Sequence, residues 1–297
     1  MTFIFSAHSS ESKSRLGNLN SELLSSDMPE LPEVETIARG LNKRVAGDVI
    51  GSVWLGSKPE PLKSSAAEIA AALQAKRITG VRRSGKHIVF DLLPTSNGAK
   101  PAQWIVHLGM TGSMQVCSPD SDREKHTHAV VSLATGRELR FVDPRRFGRL
   151  SVIETFEAPG KEPLEISAPD FAKLFRGRKA LIKSALLNQK LLSGVGNIYA
   201  DEALFRARVR PRRRVASLTR QELALLHKRL RRVLQEAIRL GGSSISDYVD
   251  ANGDEGFFQL RHRVYGREGK PCLVCKTAIK RVVIAGRSSH YCPKCQK

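Results

Sequence analysis

The chain has 297 residues, 41% of them hydrophobic, enough for two or three domains with substantial cores. Its 49 Lys and Arg against 29 Asp and Glu leave a formal charge of +20, too large for an ordinary enzyme of small molecules and suited to a polyanion, either nucleic acid or an anionic membrane surface. No apolar run approaches the ~18 residues of a membrane-spanning helix, and five cysteines, four of them in two Cys-x-x-Cys pairs, argue for a reducing compartment and a metal site over a disulfide framework.

Residues 1–27 are Ser-rich and weakly periodic, and their apolar patch Phe3-Ile4-Phe5 is too short for a signal peptide. They are expected to be a disordered tail or a misassigned start, outside the fold. Then comes Met28-Pro29-Glu30-Leu31-Pro32-Glu33-Val34-Glu35-Thr36, which reads like the beginning of a protein. Removing the Met would leave Pro29 as a secondary amine. An α-amino group titrates near ~7.7–8.0 against ~10.4 for lysine, so a useful fraction is an unprotonated nucleophile at neutral pH. With the preceding residues attached, the same nitrogen is a tertiary amide and attacks nothing. The plainer reading is that two prolines punctuate a helix start.

A helix is expected from Pro32, with Glu33 and Glu35 at its positive end, an apolar face of Val34, Ile37, Ala38, Leu41 and Val45, and Gly47 ending it. Glu30 lies just before that N-terminus, and Glu33 is in reach of the same cleft. Eight short β-type runs follow: Val49–Leu55, Arg77–Arg82, His87–Leu93, Trp104–Leu108, Ser113–Val116, Ala129–Leu133, Glu138–Val142 and Leu150–Ile153. With turns at Ser84-Gly85, Asn97-Gly98 and Thr135-Gly136 they predict an antiparallel sandwich or flattened barrel. Lys86 opens one strand; it is an ordinary solvated lysine unless it faces the cleft.

Two loops stand out. His107-Leu108-Gly109-Met110-Thr111-Gly112 sets a Met between glycines, and Asp143-Pro144-Arg145-Arg146-Phe147-Gly148 sets two Arg and an aromatic on a turn. Apolar wedges beside arginine suit the unstacking of a base step while phosphates are held, or else a contact with a partner domain. His126 and His128 alternate like strand residues and are expected to make ordinary hydrogen bonds. Residues 157–169 read as a linker. Helices are predicted at Pro169–Arg176, Arg178–Gln189, Ile198–Ala207 and Ser217–Leu240, the second with Leu181, Ala185 and Leu186 on an apolar face and Arg178, Lys179 and Lys183 on another. Thr219 and Glu222 resemble a capping box before the last. Between them, Gly194-Val195-Gly196-Asn197 offers backbone N–H groups at a helix start, an arrangement that binds phosphate. The glycine-rich stretch Gly241–Arg261 reads as a long functional or disordered loop. Finally, Cys272-x2-Cys275-x16-Cys292-x2-Cys295 has the spacing of a four-thiolate zinc ribbon, which leaves no open position for catalysis; Cys117 stands apart as a free thiol.

From Pro29 to Lys297 the chain resembles the formamidopyrimidine-DNA glycosylases, through the segment after Met28, His107-Leu108-Gly109-Met110, Asp143 to Gly148, Gly194 to Ala200 and the zinc hairpin. The resemblance implies an α+β multidomain fold: an antiparallel β-sandwich, a helix–two-turns–helix domain and a zinc-finger hairpin, with DNA in the cleft between them. The expected boundaries are 1–28 for the extension, 29–156 for the catalytic sandwich, 157–168 for the linker, 169–262 for the helical domain and 263–297 for the zinc finger. It also implies a bifunctional base-excision enzyme that removes 8-oxoguanine and formamidopyrimidines and then cuts the strand by β,δ-elimination. Pro29 would be the nucleophile, Glu30 the acid–base residue, Glu33 an orienting group, Lys86 the proton donor in β-elimination and Arg287 the arginine of δ-elimination. Met110, Arg145 and Phe147 would fill the hole left by a flipped base. His126, Arg145, Arg178 (where lysine is familiar) and Asn197 would hold DNA. One structural Zn2+ is implied on Cys272, Cys275, Cys292 and Cys295, and the partner is double-stranded DNA bearing oxidised purines or abasic sites, bound by a monomer in the bacterial cytoplasm with no membrane involved. Two rival expectations are an endonuclease VIII-like enzyme for oxidised pyrimidines and a non-catalytic damaged-DNA-binding protein.

Overall fold

A computed structural model describes residues 28–95, 100–244 and 256–297. The extension, the Asn97-Gly98 turn and most of the Gly241–Arg261 loop lie outside them. Helix α1 (Leu31–Val45) starts where the sequence predicts. Glu30 is its N-cap, and the Glu30 N–H donates to the Glu33 carboxylate at 2.9 Å, closing the first turn. Val34, Ile37, Ala38, Leu41 and Val45 are buried against the sandwich, whereas Leu31 packs into the helical core. One helix thus belongs to both cores, and its N-terminus lies at the seam between them.

The eight strands form within two residues of their expected limits: β1 (Ile50–Leu55), β2 (Lys76–Ser84), β3 (His87–Pro94), β4 (Ala102–His107), β5 (Ser113–Cys117), β6 (Thr127–Leu133), β7 (Glu138–Val142) and β8 (Arg149–Ile153). They make two four-stranded antiparallel sheets, ordered β1-β6-β7-β5 and β2-β3-β4-β8, whose inner faces meet around Phe90, Trp104 and Phe141. Helix α2 (Ala66–Leu73), absent from the expectations, is set by a Ser65–Glu68 capping box and buries Ile69 and Leu73. Between β2 and β3, Ser84 pairs with His87, so Gly85 and Lys86 form a two-residue turn. Gly85 takes φ +60° there, which lets the turn follow the twist of the strands. Lys86 therefore sits at a hairpin tip, just before the strand it was expected to open.

The second half is helical: α3 (Ala168–Phe175), α4 (Ile182–Leu187), α5 (Asn197–Arg206) and α6 (Arg220–Arg239). The expected capping box of Thr219 and Glu222 starts α6. The helix expected from Arg178 begins only at Ile182. Residues 178–181 instead lie beside 213–216, with the Val215 N–H donating to the Ala180 carbonyl at 2.9 Å and the Ile182 N–H to the Arg213 carbonyl at 2.8 Å. Lys183, expected on a charged face, is fully buried and paired with Asp201 of α5 at 2.7 Å. The chain closes with the hairpin of β9 (Lys280–Ile284) and β10 (Arg287–Tyr291).

Candidate functional site

The cavity at the seam is built from backbone first. Helix α5 is buried along nearly its whole length, and its N-terminus points at α1. The Glu30 carboxylate caps it, accepting from the Ile198 N–H at 3.0 Å and the Tyr199 N–H at 3.4 Å. Gly196 is required at this approach, since a Cβ there would lie 2.1 Å from the Glu30 carboxyl carbon. The glycine loop is held from behind by Gln189, whose amide donates to the Val195 carbonyl at 2.7 Å and accepts from the Gly194 N–H at 2.8 Å.

Glu33 lies deeper. It accepts from the Glu30 N–H, from the Ser243 N–H at 2.8 Å and from the Tyr199 hydroxyl. Burial pushes its carboxyl above the ordinary carboxylate range, with these three donors opposing. The Tyr199 hydroxyl is pushed well up by burial and by the Glu33 charge beside it. Gly242, at φ +84°, closes over Glu33, where a Cβ would meet its carboxylate oxygen at 2.8 Å. Glu33 thus holds α1, α5 and the end of α6 together.

In front of these carboxylates is a cavity of about 260 Å³ lined by Met28, Glu30, Lys86, Asn197 and Arg287 together with His87 and His107. Four residues singled out from the sequence converge there from four separate segments: α1, the β2–β3 turn, α5 and the zinc hairpin. Pro29 is half-buried between Met28 and Glu30. The two histidines were missed as wall residues; their rings lie 4.9 Å apart. Burial first, then His87, Lys86 and Arg149, lowers His107 to about 4, and burial lowers His87 as well. Both are neutral at pH 7, so Lys86 and Arg287 bring the positive charge. His107 ends β4, and only a spacing in which a strand runs straight into Gly109-Met110 hinted at a wall position.

Beyond His107 the two loops meet. A Cβ on Gly109 would lie 2.6 Å from the Gly148 nitrogen. Buried Asp143 organises the second loop, accepting from the Thr111 hydroxyl at 2.6 Å, the Gly148 N–H at 2.7 Å and the Arg145 N–H at 3.3 Å. Arg146 adopts φ +56°, and the turn leaves Phe147 exposed with the Arg145 guanidinium 4.7 Å over its ring. Met110 is half-buried alongside. His126 is exposed on the turn before β6, and His128 donates to the Asp143 carbonyl at 2.9 Å, the ordinary role expected of it. Arg178 stands apart from both groups, exposed after α3, with its Nε donating to the Leu174 carbonyl at 2.6 Å.

The four sulfurs of Cys272, Cys275, Cys292 and Cys295 lie within 4.8 Å of one another. A tetrahedral zinc with Zn–S near ~2.3 Å separates its sulfurs by roughly 3.8 Å, and the Cys272–Cys295 and Cys275–Cys292 pairs stand at 3.9 and 3.4 Å. The Val274 and Cys295 N–H groups donate to sulfur at 3.5 and 3.4 Å, as thiolates require. The set fits a structural zinc. Cys117 is far from it in the sandwich, a free and half-buried thiol. The zinc module is anchored to α5: Asp201 accepts from the His290 N–H at 2.7 Å, and Glu202 accepts from the N–H groups of Arg263, Val264 and Tyr265 at 2.8 to 3.1 Å. Lys183 donates to the Ser288 carbonyl at 2.6 Å. Asn197 reaches the Ser288 hydroxyl at 3.3 Å. These bonds set Arg287 opposite Glu30.

Comparison with known proteins agrees with this geometry. Residues 28–150 match the formamidopyrimidine-DNA glycosylase N-terminal domain, 159–249 the H2TH domain of the same enzymes, and 269–297 the zinc finger found in FPG and IleRS. The formamidopyrimidine-DNA glycosylase of Solibacter usitatus is 45% identical over 280 residues, spanning 91% of this chain and all of that protein. That of Desulforamulus reducens is 43% identical, over 91% of this chain and 99% of its own length. Among solved structures, a Lactococcus lactis enzyme in complex with Fapy-dG-containing DNA superposes with a TM-score of 0.82 at 35% identity, covering 91% of this chain and 100% of that one. The Thermus thermophilus protein gives 0.78 at 42% identity, over 90% and 98%. With the sandwich, the buried carboxylate pair and the thiolate set in one frame, the chain belongs to the formamidopyrimidine-DNA glycosylase family.

Proposed function

We propose that this protein is a base-excision repair enzyme, a glycosylase and abasic-site lyase acting on oxidised purines in double-stranded DNA. The observation that carries the reading is the cavity where Glu30, Lys86, Asn197 and Arg287 face one another beside Pro29. A base stacked in a duplex is out of reach, so the nucleotide must be extruded. The exposed Phe147, stacked by Arg145 and flanked by Met110, offers a wedge for the vacated space, with Arg145 toward the orphaned base. Once Met28 is removed, the Pro29 amine attacks the anomeric carbon and the base departs. Glu30 supplies the proton that opens the sugar ring, leaving an iminium between Pro29 and the sugar. The iminium acidifies the adjacent carbon, and two eliminations expel the flanking phosphates, with Lys86 and Arg287 placed to hold those phosphates and move protons. Glu33, bonded to the Glu30 N–H, orients the nucleophile's end of the chain. Asn197 and the α5 N-terminus grip phosphate, and His126 and Arg178 add outlying DNA contacts. Zinc, held by the four cysteines, keeps the hairpin folded so that Arg287 stays in the cleft. Such an enzyme works where the bacterial chromosome lies; no helix among the described residues is long and apolar enough to cross a membrane.

The test is borohydride trapping on an abasic duplex with two proteins, one beginning at Pro29 and one retaining all 297 residues. The Pro29 form should give a covalent adduct that maps to residue 29, and the full-length form should give none. An adduct on a lysine, or equal trapping by intact protein that still carries Met1, would overturn the proline mechanism. A panel of duplexes with oxidised purines and oxidised pyrimidines checks the substrate class.

A further inference from the structure

We propose that this protein carries a second ligand site, for a compact oligophosphate anion, on the side of α5 away from the cleft. Residues from α5, α6, the segment around 261–263 and a zinc knuckle enclose a cavity of about 570 Å³ there, within the ~300–1,000 Å³ range of small-ligand pockets. Among the described residues, seven arginines line it against a single carboxylate, Glu236.

Arg206 is committed to Glu236 at 2.6 Å. The other six, Arg208, Arg229, Arg232, Arg239, Arg261 and Arg263, have no carboxylate within ion-pair distance among the described residues. The enclosed Arg229 Nε has no hydrogen-bond partner among the described residues. Arg229, Arg232, Glu236 and Arg239 recur at helical spacing along one face of α6, beside the stripe of Leu226, Leu230, Val233, Leu234 and Ala237 that fills the core. Burial pushes the Glu236 carboxyl up, yet Arg206, with Arg261 and Arg263 behind it, leaves it below its ordinary value. Among the described residues, the arginines around the cavity outnumber its acid seven to one.

The catalytic cavity does not account for this cluster. The two cavities share no lining residue. Helix α5 presents Asn197 to the first and Phe205 and Arg206 to the second, and its ten residues put those ends roughly 15 Å apart. The zinc hairpin repeats the division: Arg287 near its tip lines the first, whereas the knuckle residues Val274 and Cys295 line the second. Planar guanidinium forks match phosphate oxygens two at a time, so several forks around one volume select an anion with clustered phosphates. A duplex is a convex rod and would leave most of the enclosed volume unfilled. Inorganic oligophosphates and nucleoside polyphosphates both have the required chemistry.

The test uses zinc-loaded protein beginning at Pro29, the form expected to cleave, with its cleft filled beforehand by an uncleavable abasic-analogue duplex for the binding measurements and left free for the cleavage assay. Tripolyphosphate is titrated by calorimetry, with ATP in a parallel arm. Saturable one-to-one binding is expected, at least tenfold weaker in Arg232→Gln/Arg261→Gln and unchanged in Arg220→Gln/Lys228→Gln, which removes equal charge outside the cavity. Equal affinity for ATP means the phosphates alone are read, and tighter ATP binding means a nucleoside is read too. Lesion cleavage should be the same in all variants, which also reports folding; Arg261→Gln alone should weaken binding about threefold if the double variant fails to melt cooperatively. Loss of tripolyphosphate binding once the duplex fills the cleft would overturn the proposal. So would equal binding by the cavity variant, equal weakening by the charge control, or arginine-dependent displacement of the anion by a second duplex.

Discussion

At the scale of single residues, the site depends on close approaches that leave no room for substitution. Gly196 is the sharpest case: the Cβ of an alanine would fall inside the Glu30 carboxyl group. Gly196→Ala should therefore push Glu30 off the α5 N-terminus and lower lesion excision by about a hundredfold or more, through misplacement of the carboxylate proposed to protonate the sugar. Circular dichroism of the variant should still show a folded chain, separating this from collapse. His107 gives a pH signature. Its folded value of about 4 lies below the ordinary 6.5, so the unfolded chain takes up a proton that the folded protein refuses. The contribution is fully present above pH 6.5 and is lost as pH falls from there toward 4, on the order of 3 kcal/mol in all. Over that window, the melting temperature of the native protein should drop more steeply than that of His107→Gln, and parallel curves would contradict the assignment.

At the scale of elements, α5 is the member on which the others are aligned. Its N-terminus receives Glu30, its middle holds Asp201 and Glu202 against the zinc module, and its end packs Phe205 beside Cys272 and Cys292. Lys183 and Asp201 form a fully buried ion pair, whose loss is costly chiefly because one charge is left alone. Asp201→Asn should destabilise by about 3–5 kcal/mol in urea unfolding. Adding Lys183→Met should return most of that loss, since no buried charge then remains without a partner. The same pair explains an expectation that failed. Lys183 read as surface from its basic neighbours, and nothing nearby in sequence announces an aspartate 18 positions on that will meet it.

At the scale of the whole molecule, two cores and a metal module converge on one cleft, so removing the metal should act at a distance. A four-thiolate zinc contributes ~10–16 kcal/mol of apparent binding free energy, enough to hold a hairpin with little core of its own. A chelator at neutral pH should lower the melting temperature and abolish duplex binding, and re-added zinc should restore both. Native duplex affinity with the chelator present would mean that the hairpin is dispensable. The +20 charge makes the binding steeply salt-dependent, and Arg287→Gln should reduce the slope of log K against log salt by about one phosphate contact.

What was legible in the sequence was whatever depends on short range. The eight strands show because alternation and turn glycines act within a few residues, α1 because an N-cap and an apolar stripe act within a few turns, and the zinc ligands because two pairs of cysteines carry their own spacing. Helix α2 was overlooked despite its capping box, since only Ile69 and Leu73 of its eight residues reach the core and leave a faint period. The shortened α4, the buried Lys183, the histidine wall and the arginine-lined cavity were decided by tertiary structure alone. Each rests on groups far apart in the chain, brought together by packing: residues 178–181 are held out of the helix by pairing with 213–216, and His87 meets His107 across neighbouring strands. Local preference names the parts, but burial and pairing across the fold choose which side chains face one another, and the cleft is made of those choices.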